Sequence, residues 1–96
     1  MKSEVYKLNN IIKKNGFIYQ QIRRSAKAAI YKQVDPKTED VIAFEVFKIS
    51  IQRSRTFEGR FFPKKEKFPS NEDFGKIAWS VKSLARALLI FNKLNQ

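Results

Sequence analysis

A chain of 96 residues can bury one modest core and not two, so it reads as a single basic domain spanning residues 1–96. Twenty Lys and Arg stand against nine Asp and Glu, a net charge of +11, and self-repulsion of that size favours a polyanionic partner. The absence of Cys excludes a disulfide framework. The absence of His as well removes zinc knuckles, Cys or His nucleophiles and the most versatile acid–base side chain at neutral pH.

Apolar residues make up 43% of the chain, with nine Phe, three Tyr and one Trp, more than a disordered segment carries, and a folded core is expected. No apolar run approaches the roughly 20 residues of a membrane span. Met1-Lys2-Ser3-Glu4 leads into an amphipathic stretch rather than a signal core, so the expected compartment is the cytoplasm.

In chain order, Val5, Leu8, Ile11 and Ile12 lie at helical spacing, with Ser3 as a cap and Gly16 as a stop after Lys13-Lys14, which predicts a helix over residues 3–14. Two strands follow, Phe17 to Arg24 and Ala26 to Val34, joined near Arg24-Ser25. Asp35-Pro36-Lys37-Thr38-Glu39-Asp40 is dense in turn formers. Val41 to Ile51 is apolar on both faces at its start and reads as a central strand. Residues 52–69, with Gly59, Pro63 and Pro69, predict an irregular basic arm holding a short strand at Arg60 to Phe62. Ser70 with Asp73 three residues on, then Phe74, Ile77, Ala78, Val81, Leu84, Ala85, Leu88 and Phe91, predict a long capped C-terminal helix. The expected fold class is α+β: an N-terminal helix, a three- to four-stranded antiparallel sheet, and the long helix packed on one sheet face.

Three features bear on function. Val5 to Val34 contains no acid, whereas acids gather at residues 35–40; that segregation points to a positive face including Arg23, Arg24, Lys27 and Lys32, the plain alternative being a solvated surface. The arm holds Arg53, Arg55, Arg60, Lys64, Lys65 and Lys67 against Glu58 and Glu66, and guanidinium groups fork onto phosphate oxygens. Its Phe residues are read first as tethers to the core, because a small core needs its aromatic area, and second as stacking surfaces for unpaired bases. On the wheel of the predicted helix, Trp79, Arg86 and Ile90 lie opposite the core stripe beside Lys82, which suggests a partner or dimer interface.

No catalytic constellation emerges, and neither enzyme activity, a cofactor nor a metal site is expected. Glu45 is the one acid out of place; pairing with an Arg across the sheet is favoured over metal ligation. The reading that follows is a nucleic-acid-binding accessory protein that contacts DNA or RNA backbone without catalysis. The alternative is a protein-interaction or virion component that takes an acidic protein partner and assembles, as a homo-oligomer or with others, through its C-terminal helix.

Ala29-Ile30-Tyr31, Phe44-Glu45-Val46-Phe47-Lys48-Ile49 and, above all, Phe68-Pro69-Ser70-Asn71-Glu72-Asp73-Phe74-Gly75-Lys76-Ile77-Ala78-Trp79 resemble segments of small uncharacterised proteins of bacteriophages and mobile elements. The resemblance spans the larger part of the chain and implies a phage or plasmid setting in bacteria, with the host cell's cytoplasm as the compartment, but no activity. The expected order of helix, three strands and helix is also similar to double-stranded RNA-binding domains and three-stranded-sheet DNA binders. The former begin their last helix with lysines, where this chain has Asn71-Glu72-Asp73, and that departure counts against phosphate binding there.

Overall fold

The computed structural model describes residues 5–96, and Ser3 and Glu4 of the expected first helix lie outside them. The rest of that helix does not form: Tyr6 bridges to Lys65, and from Ile11 the chain enters a hairpin. Asn15 and Gly16 have φ of 54° and 82°, the two left-handed conformations a type I′ turn demands. They join β1 (Ile11–Lys14) to β2 (Phe17–Arg24), with Lys14 opposite Phe17. The spacing that imitated a helix has another origin: Leu8 and Ile12 pack against the core, while Ile11 is exposed.

β2 pairs with β3 (Ala28–Val34) through a register shift at Ile22, and β3 pairs with β4 (Val41–Lys48). The turn between β3 and β4 is closed by the Asp35 carboxylate, which accepts from the backbone N–H groups of Lys37 at 2.8 Å and Thr38 at 3.3 Å. The expected strand to Ile51 is divided at Ile49, after which the chain enters the arm. There β5 (Ser50–Gln52) pairs with β8 (Lys65–Lys67), and between them β6 (Arg55–Phe57) pairs with β7 (Arg60–Phe62).

The long C-terminal helix is also corrected. Ser70 and Asp73 do form a capping box, but it caps a single 3₁₀ turn at Asn71–Asp73, and Gly75 at φ 89° turns the chain away. Ala78–Val81 then runs as β9, antiparallel along the outside of β4. The physical reason lies in β4, whose Val46 and Phe47 are fully buried on opposite faces: without β9, β4 would bury an unpaired edge. Ser83 is the true N-cap, its Oγ accepting from the Arg86 N–H at 3.1 Å, and α1 spans Leu84–Leu94. The fold is therefore mostly β: a five-stranded antiparallel sheet in the order β1-β2-β3-β4-β9, two small ladders, and one helix among the described residues.

Each sheet face has its own core. On one, α1 lays Ala87 and Phe91 on Ala28, Ile30 and Val46. Its far end is tied to the β2–β3 turn by the Ser25 hydroxyl, which donates to Oδ1 of Asn95. Among the described residues no helix covers the other face. There Phe68, from the end of the arm, sits with its ring centroid 4.9 Å from Tyr19, 5.3 Å from Tyr31 and 5.2 Å from Phe47, and Lys14 Nζ lies over it at 5.3 Å. Glu45 lies on this face too, in register with Tyr31 and Ser80 rather than with any Arg. It is buried, its Oε2 has no hydrogen-bond partner among the described residues, and burial pushes its carboxyl above the usual range.

Two outcomes test this packing. Phe68→Ala should cost about 3 kcal/mol or more in urea unfolding, the range for removing a packed aromatic ring. Glu45→Gln should stabilise the protein near neutral pH, because it removes a carboxylate charge that burial disfavours. A raised carboxyl favours the fold only while protonated, so that gain should vanish below the ordinary carboxylate pKa of about 4.3.

Candidate nucleic-acid interface

The arm has a base and a tip. At the base, Tyr6 flanks β8 on the side away from β5: its N–H donates to Lys64 O at 3.0 Å, and its carbonyl accepts from the Glu66 N–H at 2.8 Å. Glu66 reaches back to the sheet. Its carboxylate accepts from both terminal nitrogens of Arg24, at 2.6 and 3.0 Å, and from the Leu8 N–H at 3.0 Å. Its side chain is only 8% exposed, and the hydrogen-bonded Arg24 guanidinium holds the Glu66 carboxyl below its ordinary range despite burial.

The tip is the β6–β7 ribbon. Glu58 and Gly59, at φ 51° and 77°, form a second two-residue type I′ turn between Phe57 and Arg60, which face each other. Alternation along paired strands sorts the side chains: Arg55, Phe57, Arg60 and Phe62 share one face, and Thr56 and Phe61 the other. The guanidinium carbons of Arg55 and Arg60 lie 5.4 and 5.8 Å from the Phe62 ring centre, within cation–π range. Phe57 is 60% exposed and Phe61 67%. An open cleft of about 350 Å³ at the ribbon's root is lined by Tyr6, Gln52, Arg55, Phe62, Pro63 and Lys65. The radius of gyration, 14.5 Å, exceeds the roughly 12.5 Å of a compact chain of this length, as a projecting arm requires.

The ten predicted binding residues therefore fall into separate settings. Arg53, Arg55, Arg60, Lys64, Lys65 and Lys67 are exposed together on the arm. Arg23 and Lys32 lie on the helix side of the sheet, sharing that face with Lys13 and Gln20, and Lys27 is exposed in the β2–β3 turn. Arg24 is committed to Glu66 and acts as a clamp. The four predicted interface residues do not form a stripe, because Trp79 is on β9 and not on the helix. Lys82, just past the end of β9, donates from Nζ to Ile42 O at 3.1 Å, while Arg86 and Ile90 on α1 border a shallow groove with Leu89 and Lys93.

The tether reading of the arm's rings fits Phe68 and misses Phe57 and Phe61. The signal was present: Arg55-Thr56-Phe57 and Arg60-Phe61-Phe62 alternate around a Glu-Gly pair, the pattern of a tight hairpin with no core to face.

Among the described residues, no group of three or more acids, His or Cys could hold a metal, and no helix is long and apolar enough to cross a membrane. No protein-family model matches the chain, nor does any curated protein or solved structure.

Arg24→Ala should destabilise the fold by about 3 kcal/mol, since it strands a buried carboxylate, whereas Lys27→Ala should stay within about 0.5 kcal/mol. A depressed carboxyl contributes stability above the unfolded value of about 4.3 and loses it as pH falls through the folded value. Urea unfolding at neutral and acid pH should therefore show the cost of Arg24→Ala shrinking in acid.

Proposed function

We propose that this protein is a nucleic-acid-binding accessory protein, without catalytic activity, that grips DNA or RNA backbone through its arm. The observation that carries this reading is the ribbon's composition: exposed arginines and exposed rings interleave on a two-stranded projection whose only acid is Glu58. Internal pairing does not account for those charges. Among the described residues the single salt bridge is Arg24–Glu66, so the arm's six cations remain available to release counterions from phosphate. Arg23, Lys27 and Lys32 add positive charge away from the arm.

A second reading, assembly with an acidic protein partner, has one observation in its favour. Leu89 is 66% exposed on α1, beside Arg86 and Lys93, an arrangement that suits an interface of mixed apolar and basic character.

Titration against single- and double-stranded DNA and RNA at two salt concentrations decides between them. Affinity should fall roughly tenfold or more between 50 and 200 mM salt for even a few phosphate contacts. Arg53→Ala, Arg55→Ala and Arg60→Ala should each weaken binding and lower the salt slope by about 1, with Lys37→Ala, in the acidic turn, as the control. Absence of binding to all four nucleic acids would remove this function and leave the protein-partner reading.

A further inference from the structure

We infer that the ribbon holds single-stranded nucleic acid by stacking unpaired bases on Phe57 and Phe61, while Arg53, Arg55 and Arg60 take the neighbouring phosphates. This rests on the nucleic-acid reading above and goes further by naming the strand state and the groups that select it.

Burial supplies the first step. Phe68 shows what this chain does with a structural ring, lodging it among Tyr19, Tyr31 and Phe47. Phe57 and Phe61 belong to neither core cluster and leave 60% and 67% of their surface in water. Exposing two large rings on a ribbon of two three-residue strands loses the burial that ordinarily retains Phe, and a ligand that covers the rings would restore it.

Geometry supplies the second. Phe62 is already occupied by the two guanidinium groups, so it orients Arg55 and Arg60 beside Phe57, which lies directly across from Arg60. A base on Phe57 would then have a phosphate donor within one residue. Phe57 and Phe61 point to opposite faces of the ribbon. A stiff duplex laid on the arm meets one face and offers only bases already stacked within it, whereas a flexible single strand can pass around the ribbon and place unpaired bases on both rings.

Chemistry supplies the third. Reading base edges needs hydrogen-bonding side chains, typically Asn, Gln or Arg aimed into a groove. The paired strands carry no Asn or Gln, and their arginines, Arg55 and Arg60, are held beside Phe62, where they are placed for phosphates flanking a base on Phe57. Stacking with little base preference is the mode left to these groups.

The test is fluorescence anisotropy with the full chain and its Phe57→Ala and Phe61→Ala variants, on oligo-dT, oligo-U and duplex DNA, the first two probes distinguishing DNA from RNA. Each substitution should lower single-strand affinity by roughly 5- to 100-fold, with the melting temperature and duplex affinity unchanged. Phe57→Trp should retain affinity and be quenched by the oligonucleotide. If the wild type binds single strands and both Ala variants bind them equally well, or if duplex binding falls by the same factor, stacking is overturned while the nucleic-acid function stands. If the wild type binds none of the three probes, both fall together.

Discussion

The seating of the Phe68 ring against Tyr19, Tyr31 and Phe47 is the interaction on which the rest of the architecture depends. A five-stranded sheet has two faces, and one helix can cover only one of them. The second is covered by side chains from several segments, Leu8, Ile49, Phe68 and Phe74 among them, and the stretch Glu66 to Pro69 organises it. Phe68 fills the centre, and Pro69 beside it is buried and accepts from Lys14 Nζ at 3.0 Å. Lys67 ends β8, and Glu66 gathers Arg24 and Leu8. The stretch that completes the core thus also fixes the base of the arm and the path of the chain before β1.

That economy shapes the charge distribution. One of the arm's two acids is neutralised inside the fold, and Asp35, Glu39 and Asp40 are confined to the β3–β4 turn. Positive potential is consequently concentrated on a projection, where solvent screens it and Glu58 is the one acid left to oppose it. The buried Glu45 follows the opposite logic: with no cation paired to it, burial rather than attraction governs its carboxyl.

The inner strands were legible because local pattern and tertiary role agree there. Phe17 to Arg24 and Ala28 to Val34 are rich in apolar, β-favouring residues bounded by turn formers, and β3 proves buried on both faces, while Asp35 closes its turn with its own side chain. The ends were misread because spacing is ambiguous when segments are short. Leu8 and Ile12 are four apart and mimic one helix face, yet the Asn15-Gly16 pair, with both φ values positive, was the stronger signal, and it specifies a hairpin. From Phe74 to Phe91 an i, i+3, i+4 pattern ran unbroken across a strand and a helix, with Gly75 and the second cap, Ser83, marking the junctions. The basic arm was legible as composition, since charge needs no conformation to be counted. Which of its rings were buried was not, because Phe68 and Phe57 differ in partners far away in sequence.

The β5–β8 ladder has a consequence for how the tip can change. It brings Gln52 and Lys65 opposite each other before the ribbon begins, so the ends of the intervening loop are fixed by the stem, independently of what lies between them. Lengthening such a loop costs only with the logarithm of its size. The ribbon is therefore an exchangeable module: insertions or new sequences at Glu58-Gly59 alter reach and chemistry while the two cores below keep their packing.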